Sequence, residues 1–170
     1  MKIIECADYG EASAVCADLF AKQLQEKPDS VLGLATGSTP LGAYQRLVEK
    51  YKNGEISFKK VRSFNLDEYC GLGPEHDQSY SYFMHKNLFD AVDMLPGNAH
   101  FLSGLAQDCE AECSRYDALQ AATCDGLDIQ LLGIGPNGHI GFNEPDEVFT
   151  AGSHRVFLKD ATIDANTRFF

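Results

Sequence analysis

The chain reads as an α/β protein whose sheet is mostly parallel and covered by helices on both faces. Three observations carry this expectation. Short apolar runs over 31–35, 61–66 and 127–132 have the length and composition of buried strands. Segments with apolar residues at helical spacing alternate with them, the order that produces parallel rather than hairpin pairing. Each run also ends in a loop rich in small or polar residues, where open α/β sheets bind ligands. With 170 residues, 44% of them apolar and 23% charged, the chain has the size and composition of one globular domain over 1–170.

In order, 2–6 is β-like, and 12–25 is a helix with Ala12, Val15, Leu19, Phe20 and Leu24 at helical spacing, stopped by Pro28 and Asp29. The run 31–35 leads through Thr36, Gly37, Ser38, Thr39 and Pro40 into a helix over 41–51, with Tyr44, Leu47, Val48 and Tyr51 on one face. A third strand, 61–66, closes in Asp67, Glu68 and Tyr69. A turn-rich loop over 71–78 precedes a helix over 79–92, and Pro96-Gly97 breaks the chain before a short strand at 100–102. The helix expected over 107–122 carries many acids, read as a solvated face. The run 127–132 enters the glycine-rich loop 133–145; 155–158 is strand-like, and a helix starts in 162–170. Alternation of this kind implies a Rossmann-like three-layer sandwich.

Lys plus Arg is 14 and Asp plus Glu is 25, a net charge of −11. That balance disfavours nucleic acid and anionic membrane surfaces as partners, but a local cradle of N–H groups can still bind a phosphorylated small molecule. No run approaches the ~18 apolar residues of a membrane span. The start Met1-Lys2-Ile3-Ile4-Glu5 lacks the apolar region of a secretory signal, so a cytoplasmic protein with reduced thiols is expected. The six cysteines include neither a C-x-x-C pair nor a zinc-type spacing, and no metal is expected; Cys109 and Cys113, four apart on a helix, fit packing and ligation equally.

Three loops carry candidate chemistry. In the glycine-rich loop Asn137, His139 and Glu144 sit among Gly133, Gly135, Gly138 and Gly141, a set suited to proton transfer; the alternative is a turn whose polar groups satisfy one another. After the run 31–35, Gly37, Ser38 and Thr39 before a helix that opens near a proline make a phosphate cradle, unless Ser38 or Thr39 merely caps that helix. It is not a Walker loop. Asp67 and Glu68 follow a strand directly, so either could be a general base tuned by burial, or both could be solvated turn acids.

Taken together, 34–40, 64–69 and 133–145, with Ser79-Tyr80, Phe83-Met84 and 166–170, resemble the glucosamine/galactosamine-6-phosphate isomerase family over essentially the whole chain. The resemblance implies conversion of glucosamine 6-phosphate and water to fructose 6-phosphate and ammonium, with a hexosamine 6-phosphate as the small-molecule partner and no organic cofactor. Carried over by match, Asp67 moves the proton between C2 and C1. His139 opens the pyranose ring, assisted by Glu144 and Asn137, while Thr36, Gly37, Ser38, Thr39 and Arg168 hold the phosphate. Some members carry Asp where this chain has Asn137, and a neutral amide can orient but cannot act as a base. The resemblance also implies further elements after Phe170, so the domain is expected to be C-terminally incomplete. Members activated by an acetylated sugar phosphate tend to carry basic residues after the loop; Glu147, His154 and Val156 stand there, so no such activation is expected. A homo-oligomer is admitted but not required. The rival readings are a 6-phosphogluconolactonase-like hydrolase and a catalytically silent sugar-phosphate-binding module.

Overall fold

The computed structural model describes residues 1–135, 137–148 and 150–158. Its elements are α1 (Tyr9–Glu26), β1 (Val31–Leu34), α2 (Leu41–Lys52), β2 (Arg62–Asn65), α3 (Tyr80–Asn87), a 3-10 turn (Phe89–Ala91), β3 (Ala99–His100), α4 (Cys109–Thr123) and β4 (Ile129–Gln130). The four strands form one sheet in the order β3-β2-β1-β4, every pair parallel. The chain winds outward from β1 through β2 to β3, then returns to lay β4 on the other side of β1. The crevice between β1 and β4 is therefore the place where strand order reverses, and the loops leaving those two strands flank it.

Alternation along β1 distributes the core between two faces. Leu32 and Leu34 join Ala17, Phe20 and Leu24 of α1, Tyr44 and Leu47 of α2, and Met84 of α3 in the larger cluster. Val31 and Phe64 join Tyr116 of α4 in the second. Helices thus cover both faces of the sheet, as the alternating pattern predicts. At the opposite end from the loops, Asp128 receives Lys27 Nζ at 2.8 Å and the Val31 N–H at 2.8 Å, and so ties the end of α1, the start of β1 and the entry to β4 together. That contact with Lys27, then the one with Val31, holds the Asp128 carboxyl below its ordinary range.

Several elements differ from expectation. Residues 2–6 form no strand: Ile3 and Ile4 are 74% and 44% exposed, so the apolar pair that suggested one buries against little. The first helix begins at Tyr9 rather than at 12, because Asp8 accepts the Glu11 N–H at 2.8 Å while Glu11 reaches back to the Ala7 N–H at 2.6 Å. This Asp-x-x-Glu device is close to a capping box and was legible as one. The helix expected over 79–92 stops at Asn87 and tightens into the 3-10 turn. The run 127–132 contributes only two residues to β4, although the N–H groups of Asp128 and Leu131 still donate to Val31 and Gly33 on either side. Residues 155–158 pair with no described strand, and Phe157 is 79% exposed beneath the Arg155 guanidinium. The helix expected in 162–170, Arg168 included, lies outside the described residues.

Candidate active site

The loop after β1 turns at Gly37, whose φ of 97° suits a residue without Cβ. It enters α2 with Pro40, not Ser38 or Thr39, at the N-cap position and with no side-chain cap there. Pro40 itself has no N–H, and in the first turn the Gly42 N–H goes to the Tyr9 hydroxyl at 2.8 Å. That hydroxyl in turn donates to the Ser38 carbonyl at 3.1 Å. Tyr9 therefore braces the turn from the start of α1. Nothing in its sequence context separates it from any aromatic at a helix start.

Leaving β2, the adjacent acids Asp67 and Glu68 have different environments. Glu68 accepts the N–H groups of Tyr80 and Ser81 at 3.0 Å and that of its neighbour Tyr69 at 2.9 Å, which makes it a carboxylate cap on α3 beside the Ser79 cap. Asp67 faces the crevice. Burial, with the Glu68 charge next, pushes its carboxyl up from 3.8 to about 7. Neither is a solvated turn acid. Glu68→Ala is expected to lower stability by roughly 1–2 kcal/mol through loss of the cap, read as a lower urea midpoint with unchanged slope.

After β4, the glycine-rich loop folds back on itself. The Gly135 N–H donates to the His139 carbonyl at 2.8 Å, and the Gly138 N–H to the Gly135 carbonyl at 2.9 Å. Inside it runs a relay: Asn137 Nδ2 donates to Glu144 Oε2 at 2.8 Å, and Asn137 Oδ1 meets His139 Nδ1 at 2.6 Å. A carboxylate can only accept, so the amide nitrogen must face Glu144 and the amide oxygen must face the ring. His139 Nδ1 therefore carries a hydrogen, and Nε2 is left as the free base of the neutral imidazole. The ring lies against Gly135, where any Cβ would collide with it, and a Cβ on Gly141 (φ 60°) would stand 3.3 Å from Asp67 Oδ2. The second contact brings this loop up to the acid on β2. Gly135→Ala is expected to displace the ring and to lower kcat about tenfold with little change in thermal stability, given how steeply rate depends on placement. Parallel activity and melting curves check it.

These pieces surround one cleft of about 520 Å³, of a size that encloses a small ligand. Thr36, Gly37, Ser38, Thr39, Asp67 and His139 all line it. Asn137 connects to it through its hydrogen bond to His139, and Glu144 through its hydrogen bond to Asn137. The site also holds residues to which the sequence reading gave no role. The rings of Tyr69, Tyr80 and Phe142 pack with centroids 4.9 to 5.7 Å apart, joining the Asp67 loop, α3 and the glycine-rich loop. Burial, and after it the Asp67 charge, pushes the Tyr80 phenol up. Aromatics at 69, 80 and 142 look like ordinary core until three loops are seen to meet. Among the described residues no group of three or more His, Cys, Asp or Glu side chains is placed to hold a metal ion. No described helix is long and apolar enough to cross a membrane.

Comparison with known proteins adds a family. The family described as glucosamine-6-phosphate isomerases/6-phosphogluconolactonase matches residues 9–161. The chain is 52% identical over 170 residues to a glucosamine-6-phosphate deaminase of a Thermoanaerobacter species, which covers all of this chain and 67% of that one. A glucosamine-6-phosphate deaminase of Lachnoclostridium phytofermentans is 53% identical over all of this chain and 72% of its own. Among solved structures, a monomeric glucosamine-6-phosphate deaminase superposes with a TM-score of 0.96 at 45% identity, over 100% of this chain and 70% of that one. A 6-phosphogluconolactonase from Thermotoga maritima gives 0.68 at 24% identity over 84% and 63%, a likeness of fold alone.

Proposed function

Since the chain belongs to the family of glucosamine-6-phosphate isomerases and 6-phosphogluconolactonases, we propose that it is a glucosamine-6-phosphate deaminase. In this reading glucosamine 6-phosphate and water become fructose 6-phosphate and ammonium in amino sugar catabolism, without an organic cofactor, in the cytoplasm. The observation that carries it is the meeting of Asp67, His139 and the 36–39 turn around one cleft.

The geometry supports a division of labour. The uncapped start of α2 and the 36–39 turn offer N–H and hydroxyl donors to the phosphate, where the helix dipole favours an anion. Arg168 is proposed as a further phosphate ligand on the family resemblance. His139 Nε2, a base in the tautomer set by Asn137, takes the proton of the anomeric hydroxyl and returns it to the ring oxygen as the pyranose opens. Glu144, acting through Asn137, favours the imidazolium that forms between those two events. Asp67, whose carboxyl titrates near 7, then removes the C2 proton and delivers one to C1. As O1 takes a proton from the 2-ammonium group, the 2-amino aldose becomes the imine of the 2-ketose, which water hydrolyses to the ketose with release of ammonia.

A lactone hydrolase on the same fold would have no use for a base directed at a C2 proton. Stoichiometric ammonium and fructose 6-phosphate from glucosamine 6-phosphate is the expected result. Hydrolysis of 6-phosphogluconolactone with no ammonium, or binding of the sugar phosphate with neither reaction, would overturn the proposal.

A further inference from the structure

A second cavity, of about 640 Å³, shares Leu66, Asp67, Tyr69 and Phe142 with the first and opens on the α4 side. Cys70 and Cys109 line it together, one three residues past Asp67 and the other the first residue of α4. Their sulfurs are 3.6 Å apart, so an approach of about 1.6 Å would bring them to the ~2.05 Å of a disulfide bond. The two thiols come from segments 39 positions apart and are not imposed on each other by local helix geometry. The chain around them is already fastened, since the Gly71 N–H donates to the Gly104 carbonyl at 2.6 Å and the Ser103 N–H to Glu112 of α4 at 2.6 Å. Cys70 is exposed and Cys109 is half-buried, while Cys113, one turn further along α4, is buried. All six cysteines are free thiols.

We propose that Cys70 and Cys109 are a modification site, a dithiol that a low-molecular-weight disulfide converts to an intramolecular disulfide clamping the Asp67 loop to α4. The exposed Cys70 thiolate attacks one sulfur of the small disulfide, forms a mixed disulfide and releases one small thiol. Cys109, as thiolate, then attacks the Cys70 sulfur and expels the second small thiol. One small disulfide is reduced to two thiols, and two protein thiols lose two hydrogens in all. The clamp acts on the step assigned above to Asp67, and that consequence alone rests on the proposed function. A shift of about an ångström in a loop carrying a catalytic base is expected to lower kcat about tenfold.

The test incubates the full chain with oxidised glutathione and follows it by intact mass, non-reducing peptide mapping and ammonium release. Expected are loss of two hydrogens without a retained glutathionyl group, one peptide pair joining Cys70 to Cys109, and a tenfold drop in turnover that a reducing thiol reverses. C109S should instead keep one glutathionyl group on Cys70, and the double variant C70S/C109S should keep its turnover under the oxidant. A stable adduct on wild-type Cys70 with Cys109 still free, or a bridge to Cys113, would overturn the site. A closed 70–109 bridge with full turnover would overturn the clamp. If the reduced chain releases no ammonium the proposed function fails instead, and the mass and mapping results still decide the dithiol.

Discussion

Asp67→Asn is expected to lower kcat by ~10²–10⁴-fold with KM nearly unchanged, since the amide keeps the shape and hydrogen-bonding reach of the carboxylate but cannot take a proton. The wild-type pH profile should carry the same signature. A base that titrates near 7 makes kcat/KM rise through that pH and level off above it, with about a tenfold loss for each unit below. The rising limb should vanish from the residual activity of the variant. Stability should move the other way. The Asp67 carboxyl holds its proton to a higher pH when folded than when unfolded, so its ionisation costs the folded state nothing below about 4. The cost grows between about 4 and 7 and stays constant above. At full size it is at most on the order of 4 kcal/mol, and less where water reaches the half-buried group. Asp67→Asn should therefore melt higher than wild type at pH 8 and close to it at pH 4. A variant that kept wild-type turnover, or lost stability at pH 8, would remove Asp67 from the role of base.

His139→Ala is expected to cost ~10²-fold or more in kcat for the closed sugar, because no other imidazole lines the cleft among the described residues. Loss of packing alone could slow an enzyme too, so the informative measurement is rescue. The truncated side chain leaves room against Gly135, and added imidazole should recover part of the turnover in a saturable way. Asp67→Asn should show no such recovery. Asn137→Ala should fall between wild type and His139→Ala, because it frees the ring to adopt the wrong tautomer without removing it. Equal losses in the two variants, with no imidazole effect, would make the histidine a structural member of the loop.

Much of this site was legible in the sequence because its parts are local. A strand, a turn of small residues and a helix opening at Pro40 are all readable within ten positions, and so is the polar set of the glycine-rich loop. What local reading cannot supply is which neighbour a side chain meets. Asp67 and Glu68 are indistinguishable as letters; only the fold sends one to the amide groups of α3 and the other to the crevice. Tyr9 is a brace only because α1 starts beside the turn after β1, and Cys70 a partner of Cys109 only because α4 starts beside the Asp67 loop. The strands read into 2–6 and 155–158 came from β-branched and apolar letters, a preference that counts only where a neighbouring strand offers a ladder.

The pairing of β1 with β4 also has a temporal side. Val31 and Asp128, joined at 2.8 Å, are 97 positions apart, and the crevice exists only when that long loop has closed. Parallel contacts of such separation form slowly, after the locally linked α1, β1, α2 and β2 can already associate. A chain emerging from the ribosome would thus carry the 36–39 turn and Asp67 well before His139, and the candidate cleft would close in a single late event.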